Sequence, residues 1–519
     1  MPVIATNHVV DEAGLASLRE PRTDLVIEAS LGGTSGPWEA ERGPFRHYRR
    51  SLSTPRALPD DRFEVTEETS FALAIPLWWP LVQPLMKRAL RSTERTPRLR
   101  LWWPREVMAA QTTSLVAAIC VISVMTGYMG VIIGQTITFA AEDFGSGDSA
   151  QANTLAAVRI GVLISILFLR RADRIGRRPL VLGFAAAAIG FTIVGALAPN
   201  LVALGAAQMI SRGLTTGLIT LLVLAVTEEV PGTARAFSIS LVTICAALGA
   251  GMVVWVLPIA DLVSGGWRIV YVVPTLFWPV LWWVERHLPE TRRFDAAAAT
   301  ASASGDETPS SINRRRFLLL GVAAFAAALF LSPASQLRNE FLRDDLGYSA
   351  ATISLFQLVI SAPAGTVVVI AGVAADRIGR RWIGAIGLGV GALLSALSYQ
   401  LTGSVLWLAA SGGVVLSGAA FPALRGYQTE LFPTRARAKV GGLLDGVGVA
   451  GSAAGLITVG YLSDRWNDLG QAIGVMVFAP LLVAGLVIAF FPETASTELE
   501  AFNPLDPELD GPKAPSSTG

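Results

Sequence analysis

The chain has 519 residues, of which 52% are apolar and only 16% charged, with 41 Lys and Arg against 40 Asp and Glu and a mean hydropathy of +0.52. So little charge excludes an ordinary soluble globular protein, its balance excludes a nucleic-acid-binding module, and two cysteines exclude a disulfide-stapled secreted domain. The apolar residues gather in uncharged runs of about 20, the length of a helix across the ~30 Å hydrocarbon core of a bilayer, so a multi-span membrane protein is predicted.

In chain order, residues 1–105 read as a polar cytoplasmic extension, partly disordered and with no span. Its one apolar stretch, from Phe71 to Met86, is short and carries Pro76, Pro80 and Pro84, each lacking the N–H of a helical hydrogen bond. Leu77-Trp78-Trp79-Pro80 recurs as Leu101-Trp102-Trp103-Pro104, with Lys87, Arg88, Arg91, Arg95, Arg98 and Arg100 between. Trp favours the headgroup level and basic residues favour anionic lipid, so an interfacial anchor and a leader without a specific role are both open. The opening Met-Pro-Val-Ile-Ala-Thr-Asn-His has neither the basic start nor the apolar core of a signal peptide.

Six apolar runs follow, near 112–139, 154–169, 180–198, 201–226, 237–262 and 267–284, and form a first bundle within 106–294. An Ala- and Ser-rich linker over 295–315 leads to six more near 317–335, 352–373, 382–401, 405–426, 440–462 and 472–491, a second bundle within 316–494. Residues 495–519 are a polar tail. Contiguous apolar runs call for helices, since barrel strands would alternate over about 10 residues. Cys120 and Cys245 fall inside these runs and read as packing residues. Loop arginines, among them Arg170, Arg171, Arg235, Arg286, Arg314 to Arg316 and Arg435, lie on one face. The positive-inside bias makes that face and both termini cytoplasmic.

Three markers repeat. Ala-Asp-Arg-Ile-Gly-Arg-Arg stands at 172–178 and 375–381, Thr-Glu-x-x-Pro-x-x-Ala-Arg-Ala begins at Thr227 and at Thr429, and Pro-Glu-Thr stands at 289–291 and 492–494. The offsets are 203, 202 and 203 residues, and each pair follows the second, fourth or sixth span of its half. Six spans return the chain to one side, so the halves are parallel repeats about an axis along the membrane normal, an arrangement suited to alternating access. The fold class predicted is an all-α membrane protein of twelve transmembrane helices in two parallel-repeat six-helix bundles.

These residues resemble the major facilitator superfamily. Its loop Gly-x-x-x-Asp-Arg-x-Gly-Arg-Arg is matched by Gly372, Asp376, Arg377, Gly379, Arg380 and Arg381, and in the first half by Asp173, Arg174, Gly176, Arg177 and Arg178, with Leu169 where the leading Gly belongs. The fourth-span motif, the Pro-Glu-Thr ends and Gly266-Trp267-Arg268 resemble the sugar-porter and metabolite:proton symporter branches. The resemblance implies that Asp173, Asp376, Glu228 and Glu430 pair with the motif arginines, Arg235 and Arg437 among them, as a cytoplasmic lock that breaks when the protein opens inward. A solvated surface of ion pairs worth about 0–1 kcal/mol each is the plainer alternative.

Ionisable residues inside spans are functional candidates by default because hydrocarbon makes them costly. They are Arg159, Arg212, Arg425 and Asp445. Arg159 lies 14 residues before Asp173 and Arg212 lies 16 before Glu228, on the outer side of the midplane. Partners for both would come from Asp261, Glu142, Asp143, a substrate anion or backbone carbonyls, and for Arg159 an outer structural pair is favoured. Arg212 opens Arg-Gly-Leu-Thr-Thr-Gly, which resembles the family's fourth-helix arginine motif, so substrate binding, proton coupling and packing all fit it. Asp445, among Gly441, Gly442, Gly446 and Gly448, is either a proton carrier or the static partner of Arg425. Neutral cavity candidates are Tyr128, Gln135, Gln208, Gln336, Gln357 and Tyr427, for which plain interhelical hydrogen bonds are the alternative. Thr126-Gly127-Tyr128-Met129 stands where aromatic-acid symporters carry Asp-Gly-x-Asp.

The sequence therefore predicts a secondary transporter of a small organic solute, an organic acid or sugar-like metabolite, by proton-coupled symport. A drug:proton antiporter, a facilitator and a transporter-like solute sensor acting through the 105-residue leader are the alternatives. No Walker loop and no His/Cys cluster occur, so no enzyme activity, cofactor or metal is expected. The expected partners are the solute, a proton and membrane lipid but no nucleic acid, for a monomer in the plasma membrane.

Overall fold

The computed structural model describes residues 2–30, 36–59, 62–91, 107–163, 177–230, 232–287, 314–431 and 434–493. Over residues 2–91 it corrects the expectation of a partly disordered extension. Strands β1 (Val3–Val10), β2 (Ile27–Ser30), β3 (Trp38–Arg42), β4 (Phe45–Leu52), β5 (Arg56–Leu58) and β6 (Arg62–Leu73) form one antiparallel sheet in the order β1-β6-β4-β3-β2, with β5 also on β6. In β6 the two-residue period buries Val65, Glu67, Thr69 and Phe71 on one face. Helix α1 (Glu12–Arg19) is capped by Asp11, and α2 (Trp79–Leu90), with Pro80 in its first turn, seals the sheet with Met86, Ala89 and Leu90.

Buried charge disguised this core as polar sequence. Arg50 is fully buried, its Nη2 2.7 Å from Glu28 Oε2, its Nη1 donating to the Leu18 carbonyl at 2.8 Å and its guanidinium 3.9 Å above the Trp38 ring. Tyr48 donates its hydroxyl to Glu28 Oε1 at 2.6 Å, and His8 Nε2 meets Glu67 Oε2 at 2.8 Å. Each buried charge thus has a partner, which is what makes its burial tolerable. Burial, and next the charge of Glu28, pushes the Tyr48 hydroxyl well above its ordinary range, so it stays a donor.

The first bundle comprises α3 (Ala110–Phe144), α4 (Asp148–Ile160), α5 (Arg177–Ala196), α6 (Leu201–Glu229), α7 (Gly232–Val256), α8 (Trp267–Val272) and α9 (Phe277–His287). The second comprises α10 (Arg314–Gln336), α11 (Ala350–Ile378), α12 (Arg380–Ser398), α13 (Gly403–Glu430), α14 (Thr434–Trp466), α15 (Leu469–Val475) and α16 (Phe478–Phe490). A 3-10 segment, Leu257–Asp261, extends α7, and Arg338–Glu340 with a π turn at Phe341–Asp345 extends α10. Each predicted span begins on or beside helix, the second of them being described only as far as residue 163; among the described residues ten stretches are long and apolar enough to cross a membrane, and Ala350–Pro363 is a shorter apolar helix. The paired helices α8–α9 and α15–α16 each make one crossing, Pro274 sitting in the 3-10 turn Val273–Leu276 that joins the first pair. Leu197, Val202, Leu408 and Phe478 are more than 70% exposed, an apolar surface suited to lipid and not to water.

Packing repeats with the sequence. Helix α3 crosses α7 as α10 crosses α14, and α5 packs on α6 as α12 packs on α13. At the first crossing a Cβ on Gly127 would overlap the Ala246 carbonyl and one on Gly249 the Val124 carbonyl; at the second, Gly451 and Gly455 stand likewise against Phe325 and Leu329. Absence of a side chain at these four points lets the backbones touch. The halves meet where α4 lies on α14 and where α11 lies on α7 and its 3-10 extension.

Candidate functional site

At one end of the bundle acidic residues tie the halves together. Arg343 of the second half donates Nη1 to Asp261 Oδ2 at 3.1 Å and places Nη2 3.2 Å from Glu142 Oε2, both in the first half. Asp261 also accepts the Ala350 amide at 2.5 Å, Ser463 donates to Asp148 Oδ2 at 2.5 Å, and the Ser149 amide donates to Asp464 at 3.3 Å. Gly266-Trp267-Arg268 clamps the first half at the same level, the indole and guanidinium donating to Asp143 at 3.2 and 2.6 Å and Arg268 reaching the Ala198 carbonyl at 3.2 Å. The three acids named as partners for the buried arginines are thus engaged here by Arg268 and Arg343.

One turn deeper, Glu340 is 1% exposed and meets Gln151 and Thr138 of the first half, the latter at 3.4 Å. Asn339 donates to the backbone and side-chain oxygens of Gln135, both at 3.0 Å, and accepts from Gln357 at 2.9 Å. Gln135 and Gln357 are thereby brought together across the halves.

Beneath this layer stand Arg159 and Arg212, each 11 residues into its helix from the acid-rich end and so about 16 Å below it. Arg212 Nη1 donates to the Gly130 carbonyl of α3. With its amide oxygen turned toward Ser332, Gln336 of α10 accepts from Arg159 Nη2 and Nε, each at 3.1 Å, so a second-half amide reaches a first-half guanidinium. Among the described residues neither arginine is paired with a carboxylate, and Arg212 Nε is buried without an acceptor. Two guanidiniums thus act on one another inside the first half, and one of them faces an amide of the second.

Other predicted residues lie elsewhere. Tyr128 is wholly buried inside the first half, donating to the Val270 carbonyl at 2.9 Å against the Phe277 ring, and Gln208 is buried beside Gly195 and Tyr271. Tyr427 is buried against Phe491. Asp445 is exposed, and among the described residues nothing lies within 4 Å of a Cβ on Gly441, Gly442, Gly446 or Gly448. The side chain of Arg425 lies outside the described residues.

At the arginine-rich end, Asp173, Arg174 and Gly176 lie outside the described residues, as do the side chains of Arg177, Glu228, Arg235, Asp376, Arg377, Arg380, Glu430 and Arg437. Four residues of the repeated motifs are described there. Gly379 adopts φ +118°, a conformation that costs a residue with a Cβ, and Glu493 of the second Pro-Glu-Thr accepts the Arg381 amide at 3.2 Å at the N-terminus of α12. Arg178 donates to the Glu285 carbonyl at 2.6 Å in the corresponding place of the first half. Two separate motifs of the repeat therefore meet.

Asn339, Glu340, Arg343, Asp148 and Gln151 were not anticipated from sequence. The signal was there: Gln336, Asn339, Glu340 and Arg343 follow the spacing of one helix face, hidden because the seventh apolar run ends at 335 while the helix continues.

The Major Facilitator Superfamily model matches residues 337–507, about a third of the chain. The inward-open xylose transporter XylE from E. coli superposes with a TM-score of 0.61 at 17% identity over 76% of this chain and 100% of that one. A bacterial homologue of the human lysosomal transporter Spinster, inward-facing, gives 0.61 at 13% over 73% and 96%, and the nucleoside transporter NupG 0.61 at 12% over 73% and 100%. No curated protein matches in sequence. The family match over the second half and the shared fold across both halves show that this chain has the fold of these transporters, and its doubled Asp-Arg-Ile-Gly-Arg-Arg motif resembles that of the Major Facilitator Superfamily.

Proposed function

We propose that the protein is a secondary transporter of a small organic anion, working by alternating access and coupled to protons. Arg159 and Arg212 carry this reading: two guanidiniums at mid-membrane depth, without carboxylate partners among the described residues, with Gln336 of the other half against one of them. Burying such charge is costly unless something completes it, and an organic carboxylate or phosphate supplies what the helices withhold. The neighbours named for xylose and nucleosides supply the fold, and the arginine pair argues for a charged solute instead. The arginine-rich end is the cytoplasmic one in a plasma membrane, both termini lie inside, and the acid-rich closure then describes an inward-facing monomer.

The test is flux in proteoliposomes under an imposed pH gradient, with labelled organic anions and neutral sugars. Uptake of an anion that follows the gradient and falls at least about tenfold in Arg212→Gln supports the reading. Uptake confined to neutral sugars, or an unaffected variant, overturns it. A solute sensor is the second reading, favoured by the folded domain at residues 2–91, whose Trp78 indole donates to the Ala117 carbonyl of α3 at 3.1 Å. Removing residues 1–100 leaves flux intact in a transporter and silences a sensor.

A further inference from the structure

We propose that Asp148 and Glu340 form a proton-binding latch that holds the acid-rich end shut only while the pair shares a proton; it rests on the alternating-access part of the proposed function and on no particular substrate. Glu340 belongs to the second half, yet its carboxyl is buried against the first, and carboxylate oxygens of Asp148, Glu340 and Asp344 all lie within 4.8 Å of one another. Two ionised carboxylates so placed repel, and a buried one without a cation costs several kcal/mol.

No cation answers this charge among the described residues. The groups around Glu340 are Thr138 on α3, Asp148 and Gln151 on α4, and Asp344 on its own segment, with Asp345 of that segment near Asp148 and Asp468 of the α15 cap. The Arg343 guanidinium is turned to Glu142 and Asp261, Arg338 lies over Tyr399, and Ser463 of α14 donates to Asp148. A second, separate observation points to a missing hydrogen. Gln151 is 2% exposed, its amide lies against Glu340, and its Oε1 is buried with no donor. One proton taken from the solvent of the acid-rich side onto Glu340 supplies an O–H that donates to Asp148 or, with the amide turned over, to Gln151 Oε1. No other bond is made or broken. Opening this end separates the halves, hydrates both carboxylates and returns the proton to the same solvent.

The closed state thus binds one proton more than the open one, so the closed-to-open ratio falls as pH rises, by up to about tenfold per pH unit. The test labels the full-length chain in lipid nanodiscs with nitroxides at Ser146→Cys, half-buried, and Arg465→Cys, exposed, on opposite halves, leaving the buried Cys120 and Cys245 in place. Distances are measured by pulsed electron paramagnetic resonance from pH 5 to pH 9 in sodium-free potassium buffer. A long-distance population that grows with pH in the otherwise native chain, and is lost in Glu340→Gln, whose amide keeps a hydrogen at every pH, supports the latch. Asp148→Asn serves as the second variant and also loses the pH response. Distances indifferent to pH, variants that respond as the parent does, or closure produced at pH 8 by added sodium, which would make the cluster a metal-cation site, overturn it. A chain that carries no organic anion sinks the proposed function and leaves this outcome standing.

Discussion

Arg212 gives up its hydration on entering the bundle and recovers the Gly130 carbonyl through one nitrogen. An anion in the cavity is then worth a charge-assisted hydrogen bond, about 1.5–3 kcal/mol, and its loss is worth about 10- to 100-fold in flux. Arg212→Lys keeps the charge but not the planar fork, so labelled-anion uptake should fall by at least about tenfold with the protein still folded. Unchanged uptake would mean that the guanidinium only packs. Glu493 illustrates a quieter contribution: its charge at the start of α12 is worth about 0.3–1 kcal/mol, so Glu493→Gln should lower the thermal midpoint slightly and leave solute binding intact. Asp445 was legible as a costly residue, but its exposure and the empty space around its glycines depend on helix rotation, which no local pattern encodes.

Helix crossings fix where the side chains of each bundle point. Gly127→Leu pushes a side chain into the Ala246 carbonyl, so overpacking of about 1–3 kcal/mol or more is expected, read as a fall in thermal stability by size-exclusion chromatography after heating. Gly441→Leu, with nothing within 4 Å of a Cβ, is the tolerant control, and equal losses in both would refute the crossing. In the N-terminal sheet Arg50→Ala strands Glu28 in a dry core at a cost of about 3–5 kcal/mol, so residues 2–91 should become protease-sensitive while the membrane helices stay protected. Tyr48 adds a pH limit: its folded-state value is raised, so its contribution is complete below the unfolded value near 10 and is lost as pH climbs through the folded one. Sheet protection against proteolysis should therefore fail on the strongly alkaline side first, and Tyr48→Phe should blunt that failure. The strand alternation of β6 was visible in the sequence, but its buried Glu67 and Thr69 read as a solvated face.

At the scale of the whole molecule, the bonds between halves among the described residues gather toward the acid-rich end, where Arg343, Asp148 and Asp464 each cross the boundary. If the halves rock, that end must open in every cycle. A disulfide from Ser149→Cys to Asp464→Cys should therefore abolish flux and reductant should restore it. Flux through the cross-linked protein would exclude rocking at this boundary.

The sequence by itself determined the membrane class, the long apolar helices and the parallel duplication, because hydrocarbon demands such helices and because identical motifs recur at nearly one offset. It also named Arg159, Arg212, Gln135, Gln336 and Gln357, since polar groups inside spans are rare and expensive. Only the tertiary structure decided that Arg159, Gln135, Gln336 and Gln357 are bonded between the halves while Arg212, Tyr128 and Gln208 pack within one, that Glu340 faces Asp148, and that the charged leader folds into a sheet. Those outcomes turn on which partner a polar group finds across two or more elements, a distance in space that one-dimensional spacing does not carry.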